Sequence, residues 1–259
     1  MIEEPYRWVE AIANRRDYIE TQLAPGSPIA ALSYGDGILF VTVGRARQKL
    51  FEIYDRIALG AIGHPGDIER LRMAAIELAS TEGFTRSAAD VSLRRLAFYS
   101  LSPILKTAFE QVYGAPYLAR MIFAEVGATP SDDLFLRVEY DGAIAANGTA
   151  ADTNPPRFSA IAGTARATGL MEELLRREHD PACTLQRAMQ LGLDAWSAGN
   201  LPATEESGDS LPSAEALREH RAEELKSATI EACLLERTSP AAIRYRALAG
   251  DELKELTAA

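Results

Sequence analysis

Apolar residues follow one another along this chain in blocks, some with helical spacing and others as short strand-like runs. In residues 5–23 the helical spacing places Val9, Ile12, Ile19 and Leu23 on one face, and Pro25-Gly26 ends the predicted helix. Four apolar runs follow at short intervals and predict two pairs of strands. These strands are residues 29–34, 38–43, 50–54 and 57–62.

Helical spacing returns after the fourth strand and predicts two helices, at about 67–82 and 90–113. Asp67 has the side chain of a good N-cap for the first helix. Ser87-x-x-Asp90 resembles a capping box that opens the second helix. Pro103 lies inside the second helical stripe and predicts a kink there.

The second half of the chain repeats the order of strands, two helices and strands. The remaining predicted strands are residues 121–126, 134–140, 158–161, 230–236 and 243–247. The remaining predicted helices are about 168–177, 184–198, 215–226 and 250–259, with an exposed loop at 199–213. This order predicts an α+β fold in which two sheets pack face to face with helix pairs outside them. A generic α+β arrangement also fits the spacing, and residues 1–259 contain no linker that divides them into domains.

Composition and charge narrow the classes of function. The chain has 259 residues, 47% of them hydrophobic, and a formal net charge of −10, which argues against nucleic acid or an anionic membrane as the main partner. No apolar run approaches the roughly 18 residues of a membrane span, and acidic residues precede the first apolar run, unlike a signal peptide. We therefore expect a cytoplasmic protein, with Cys183 and Cys233 as reduced thiols.

Motifs that would indicate a metal, cofactor or common catalytic centre are missing from the sequence. The three histidines, His64, His179 and His220, are scattered, so we expect no metal site and no cofactor. The chain has no G-x-S-x-G elbow, no Walker-type loop and no G-x-G-x-x-G motif.

A series of segments, in a fixed order, resembles one known family. Residues 49–58 are KLFEIYDRIA, residues 69–79 are ERLRMAAIELA and residues 82–85 are EGFT. Further matching segments are Asp90-Val91, Arg95-Leu96-Ala97, Ala124-Glu125-Val126, Glu139 to Ile144 and Ile161-Ala162-Gly163. The series resembles bacterial proteasome α subunits, members of the N-terminal-nucleophile hydrolase superfamily, and covers residues 27–200 well. The resemblance implies a four-layer αββα sandwich that forms a homo-heptameric ring on catalytic β subunits.

Active members of this superfamily use a nucleophile released by self-cleavage just before the first strand, and Gly26-Ser27 lies at that junction. Counted from Ser27, the position of the supporting aspartate is Val43, which cannot ionise. The region of the supporting lysine has arginine in its place, and arginine cannot act as a tunable base. We therefore expect a non-catalytic subunit. The alternative is a serine-dependent peptidase that processes itself between Gly26 and Ser27.

The resemblance also suggests binding residues. Lys49 occupies the position of a lysine that receives the C-terminal carboxylate of a regulatory ring ATPase or other activator, and Gly63 and His64 are expected in the same pocket. Met1, Ile2, Glu3 and Glu4 would form the gate at the ring axis. The further expected roles are gating of substrate entry and templating of the β ring. A second alternative is a self-assembling scaffold that has no β subunits.

Overall fold

Two five-stranded antiparallel sheets face each other at the centre of the molecule, and helices cover both outer faces. The computed structural model describes residues 4–45, 47–111, 113–146, 155–202 and 210–257. The first sheet has the order β10-β9-β2-β1-β8. Its strands are β1 (Ile29–Tyr34), β2 (Gly37–Gly44), β8 (Phe158–Ile161), β9 (Thr229–Glu236) and β10 (Tyr245–Leu248).

The second sheet has the order β3-β4-β5-β6-β7. Its strands are β3 (Leu50–Tyr54), β4 (Ile57–Gly63), β5 (Ala119–Glu125), β6 (Leu134–Val138) and β7 (Ile144–Ala146). The helices of the described residues are α1 (Glu4–Leu23), α2 (Pro65–Thr85), α3 (Leu93–Arg95), α4 (Ser102–Glu110), α5 (Ala165–Glu178), α6 (Leu185–Asn200), α7 (Ala214–Glu224) and α8 (Gly250–Thr257). A π-helical segment, Leu96–Leu101, joins α3 to α4.

Three apolar layers hold these elements together. Buried residues of both sheets, among them Ile29, Phe40 and Ile122, form the layer between the sheets. Leu32 and Trp196 belong to the layer between the first sheet and α5 and α6. A third layer packs α2 and the π-helical segment against the second sheet. Strands buried on both faces have the continuous apolar sequences of β1 and β4. This arrangement confirms the predicted αββα sandwich.

Helix α2 begins at Pro65, and its N-cap is His64, three residues before the predicted cap Asp67. Pro65 is preorganised for the first helical turn and needs no hydrogen-bond acceptor for a backbone N–H. The Asp67 carboxylate instead accepts a hydrogen bond from the backbone N–H of Leu118 at 3.0 Å. The prediction that Asp67 caps the helix was therefore wrong, and this side chain ties α2 to the chain just before β5.

The predicted helix 90–113 is broken into shorter pieces. Ser87 caps only a 3₁₀ turn, Ala88–Asp90, and Ser92 caps the helix proper through the backbone N–H of Arg95. The helical run then widens into the π-helical segment directly before Pro103, which lacks the backbone N–H that a regular helix needs at this point. The helix ends at Glu110 rather than near Gly114.

Candidate functional site

A cleft of about 900 Å³ opens beside the connection between α1 and β1. Its walls come from the end of β2, the start of β3, the end of β4 and the first turn of α2, with α6 on the far side. Of the residues that the sequence singles out, Ser27, Lys49 and Gly63 all line it. The fold therefore brings together three positions that are up to 36 residues apart in the chain.

Lys49 lies immediately before β3 and is half-buried in this cleft. Its Nζ atom donates a hydrogen bond to the carbonyl oxygen of Ser27 at 3.2 Å. Burial lowers the pKa of Lys49 to about 8, and the negative charge of Glu231 opposes that decrease. Lys49 is thus a cation on the wall of a cleft, with a titration point close to neutral pH.

Glu231, on β9 of the opposite sheet, holds the backbone beside Lys49. Its two carboxylate oxygens each lie 3.0 Å from the backbone nitrogen of Lys49, and one also accepts from the backbone N–H of Leu50 at 2.9 Å. Burial raises the pKa of Glu231, while these hydrogen bonds and Lys49 act in the opposite direction. Glu231 was not predicted from the sequence. The available signal was an acidic residue in an otherwise largely apolar strand.

Hydrogen bonds to neighbouring elements fix the side chain of Ser27. Its hydroxyl donates to the carbonyl oxygen of Val43 at 2.5 Å and accepts a hydrogen bond from the indole N–H of Trp196 at 3.0 Å. The Val43 side chain is buried at the position expected of the supporting aspartate. Arg45, in the region of the supporting lysine, turns away to Ser227 at 2.9 Å and to Glu224 at 3.6 Å. The Ser27 hydroxyl therefore has its proton committed to a carbonyl rather than to a base.

Gly63 and His64 occupy different sides of the chain at the end of β4. Gly63 has a φ of 134°, and a Cβ atom there would lie 2.0 Å from the carbonyl oxygen of Leu118, so only glycine fits. His64 is exposed and lines a second cavity of about 580 Å³ with Tyr18 and Arg70. Gly63 and Lys49 therefore line the same cleft, whereas His64 lines the neighbouring cavity.

The predicted gate residues Met1, Ile2 and Glu3 lie outside the described residues, and α1 begins at Glu4. The other end of this helix is anchored, since the Glu20 carboxylate pairs with the buried Arg120 at 3.0 Å. In the described part of the chain, no helix is long and apolar enough to cross a membrane. Over those same residues, no group of three or more His, Cys, Asp or Glu side chains is arranged to hold a metal ion.

Comparison with known proteins places the chain in a family. No family model matches it. Curated proteins named proteasome subunit alpha do match: those of Streptomyces avermitilis and Actinosynnema mirum are each 30% identical over 95% of this chain, covering 87% and 84% of the relative. The protein of that name from Frankia alni is 29% identical over 96% of this chain and 93% of its own length. With this identity maintained over nearly the whole length, the chain belongs to the proteasome α-subunit family.

Proposed function

We propose that this chain is a non-catalytic α-ring subunit of a proteasome core particle, and that the cleft at Lys49 receives the C-terminal carboxylate of a regulatory ring ATPase or other activator. The observation that carries the docking role is the Lys49 ammonium group, which lies half-buried on the wall of a 900 Å³ cleft. Gly63 lines the same cleft, and because it has no side chain the backbone can adopt its positive φ angle there.

The energetics suit reversible binding of a flexible tail. A unit charge pair 4 Å apart is worth about 1 kcal/mol in water and about 4 kcal/mol at an effective dielectric of 20. A half-buried site lies between these limits, so one carboxylate on Lys49 supports attachment without making it permanent. Apolar side chains of Phe51 and Ile62 also line the cleft and give a tail apolar surface to contact.

The absence of catalysis is supported by the surroundings of Ser27. A peptidase of this superfamily needs a free amine beside the nucleophile and a charged partner to activate it. The Ser27 hydroxyl is hydrogen-bonded to Val43 and Trp196, the buried Val43 stands where the charged partner is expected, and the neighbouring Pro28 is buried. Peptide-bond cleavage would then belong to β subunits with which this chain assembles.

The docking role is tested by replacing Lys49. We expect Lys49→Met to weaken binding of hexapeptides with a free C-terminal carboxylate by at least tenfold, since it removes the charge but keeps most of the side-chain volume. The ligands are hexapeptides randomised over the last three residues, compared with C-terminally amidated counterparts by calorimetry on the full-length assembled protein. Lys106→Met is the matched control, since Lys106 is exposed and pairs with Glu110 on α4. Equal affinity of the Lys49 variant and wild type, or equal binding of amidated peptides, would contradict the docking role.

The assembly and gate roles need a separate experiment. Met1, Ile2, Glu3 and Glu4 would bring several acidic tips together at the axis of a homo-heptameric ring, where they restrict substrate entry. The tips carry like charges and repel one another, so we expect a gate that is loosely ordered at rest. Co-expression with a β-type chain should yield one particle in which this chain keeps residues 1–26, as measured by intact mass. A mass that lacks those residues would favour a self-processing serine peptidase, and a ring that never takes up a β chain would favour a self-assembling scaffold. Deleting residues 1–4 should accelerate peptide entry into the particle.

A further inference from the structure

We infer that Glu231 is a positioning residue for the docking site, because its carboxylate holds the start of β3, and with it Lys49, in place from across the sandwich. This inference rests on the proposed function and adds a second residue to it, from the opposite sheet. It would make attachment of a carboxylate depend on an acidic side chain that never touches the ligand.

The positional part of the inference comes from hydrogen bonds. Lys49 precedes the first residue of β3, so its backbone N–H lies at the edge of the ladder that pairs β3 with β4. The Glu231 carboxylate accepts from that N–H at 3.0 Å and from the N–H of Leu50 at 2.9 Å. Lys49 and Glu231 are 182 positions apart, and their contact joins β9 of one sheet to the start of β3 in the other. Hydrogen bonds to a charged acceptor are the stronger kind, and they fix the direction in which the Lys49 side chain leaves the backbone.

The electrostatic part follows from the other charges around the cleft. After β2 the cleft is lined by Arg45 and Arg47, α2 contributes Glu69 and α7 contributes Glu224. Glu69 accepts two hydrogen bonds from Arg72, at 2.8 and 2.7 Å, and the Glu224 carboxylate lies 3.6 Å from the Arg45 guanidinium. Both acids therefore already have a cationic partner. The walls from β4 and α6 contribute neutral residues.

Glu231 therefore differs from the other acids near the cleft, because its carboxylate lies against the backbone of Lys49 itself. Its charge opposes the effect of burial on the pKa of Lys49, which stands at about 8. Without that charge the pKa of Lys49 would fall further, and the ammonium group would lose its proton at a lower pH. A carboxylate ligand needs the protonated form, so its affinity would fall at neutral pH even though Lys49 is still present.

The charge effect can be measured without any ligand. Trace acylation with an amine-specific reagent between pH 6 and 10, followed by peptide mass spectrometry, gives the pKa of Lys49, because only the neutral amine reacts. The exposed Lys106 and Lys254 in the same sample are internal references. We expect Glu231→Gln to move the Lys49 titration to lower pH and leave the two references unmoved. Glu236→Gln is the matched control, since Glu236 lies on the same strand but pairs with Arg246.

The docking effect is measured on the same variants with the free-carboxylate hexapeptides. Wild type should bind with constant affinity below pH 8 and lose about tenfold per pH unit well above it, because the ligand binds the protonated amine. The Glu231→Gln variant should begin this loss at lower pH and recover most of its affinity at pH 6. Glu231→Ala, which also removes the hydrogen-bond acceptor, should remain weaker than Glu231→Gln at every pH.

The outcomes separate this inference from the docking role. If Lys49→Met abolishes peptide binding while Glu231→Gln leaves both the Lys49 titration and the pH dependence of binding unchanged, the inference about Glu231 is wrong and the docking role stands. If the Lys49 titration moves but Lys49→Met binds peptide as wild type does, the electrostatic link is real and the docking role is wrong, so the inference falls with it. Near-ultraviolet circular dichroism of each variant will test whether the fold is intact. If Glu231→Ala misfolds, Glu231→Gln still tests the inference, because glutamine has nearly the same shape as glutamate.

Discussion

Arg120→Met is the substitution whose effect the structure determines most directly. The Arg120 side chain is 6% exposed and lies on β5. It donates to Glu139 at 2.6 Å, to Glu20 of α1 at 3.0 Å and to the carbonyl oxygen of Ala162 at 2.8 Å. One guanidinium group therefore fastens the end of α1 to the second sheet and to the chain that follows β8.

The size of the effect follows from what the substitution leaves behind. Breaking a buried ion pair by removing one partner costs about 3–5 kcal/mol, since the remaining charge is buried without compensation. Here Glu139 keeps a contact with Arg137 at 3.2 Å, and Glu20 is 39% exposed and accepts a hydrogen bond from Tyr140. The loss should accordingly lie at the lower end, at about 3 kcal/mol.

The assay is guanidinium denaturation followed by tryptophan fluorescence, at one protein concentration and in one assembly state. Arg72→Met is the matched control, because Arg72 makes a two-contact pair with the exposed Glu69 on α2, and the substitution should cost about 1 kcal/mol or less. Limited proteolysis should also cleave the Arg120 variant faster at residues 24–26, where α1 joins β1. Equal stability of the two variants, or equal cleavage rates, would refute this account of how α1 is anchored.

Two further substitutions test the residues beside the cleft. Gly63→Ala should destabilise the protein by more than about 2 kcal/mol in the same denaturation assay, because the new Cβ atom would lie 2.0 Å from the Leu118 carbonyl oxygen at a backbone angle that alanine rarely adopts. Ser27→Ala should cost about 1–2 kcal/mol by removing hydrogen bonds to Val43 and Trp196, and it should leave the intact mass of the chain changed only by the lost oxygen. Loss of residues 1–26 from wild type but not from this variant would show that Ser27 is a nucleophile after all.

The sequence predicted the strands in which apolar residues predominate between turn residues and failed for one short, partly exposed strand. Strands β1, β3 and β8 have the predicted bounds, although β3 and β8 lie at sheet edges, because apolar segments between turn residues allow few alternatives. Strand β7 was missed, since it has three residues, is partly exposed and pairs with one neighbour, β6. Helix ends were the weakest point: Asp67 is a suitable cap by type, but a contact with Leu118 fixes its role.

The sequence could predict only those residues of the candidate site that are close together in the chain or that match positions of the proteasome family. Lys49 and Gly63 were singled out from the segments that resemble the proteasome family, and the structure places both on one cleft. Glu231 was not found, because an acidic residue in a strand indicates that a partner exists without identifying it. Its partner is a backbone N–H 182 residues away, and every residue type has such a group. Contacts between side chain and distant backbone leave no pattern in the sequence.

The connection between α1 and β1 links the proposed retention of the helix to the proposed absence of a nucleophile at Ser27. The α1 residues Ile19 and Leu23 are fully buried against Phe109 and Tyr140. Burial of two such side chains contributes about 3–6 kcal/mol, and release of residues 1–26 would forfeit it. A self-processing subunit needs this segment to leave at low cost so that the amine of its first residue becomes free. Here the segment is part of the core, and the Ser27 carbonyl that it positions accepts the hydrogen bond of Lys49. Cleavage before Ser27 would therefore disturb the cleft proposed for docking as well as the core, so self-processing and docking would exclude each other at this position.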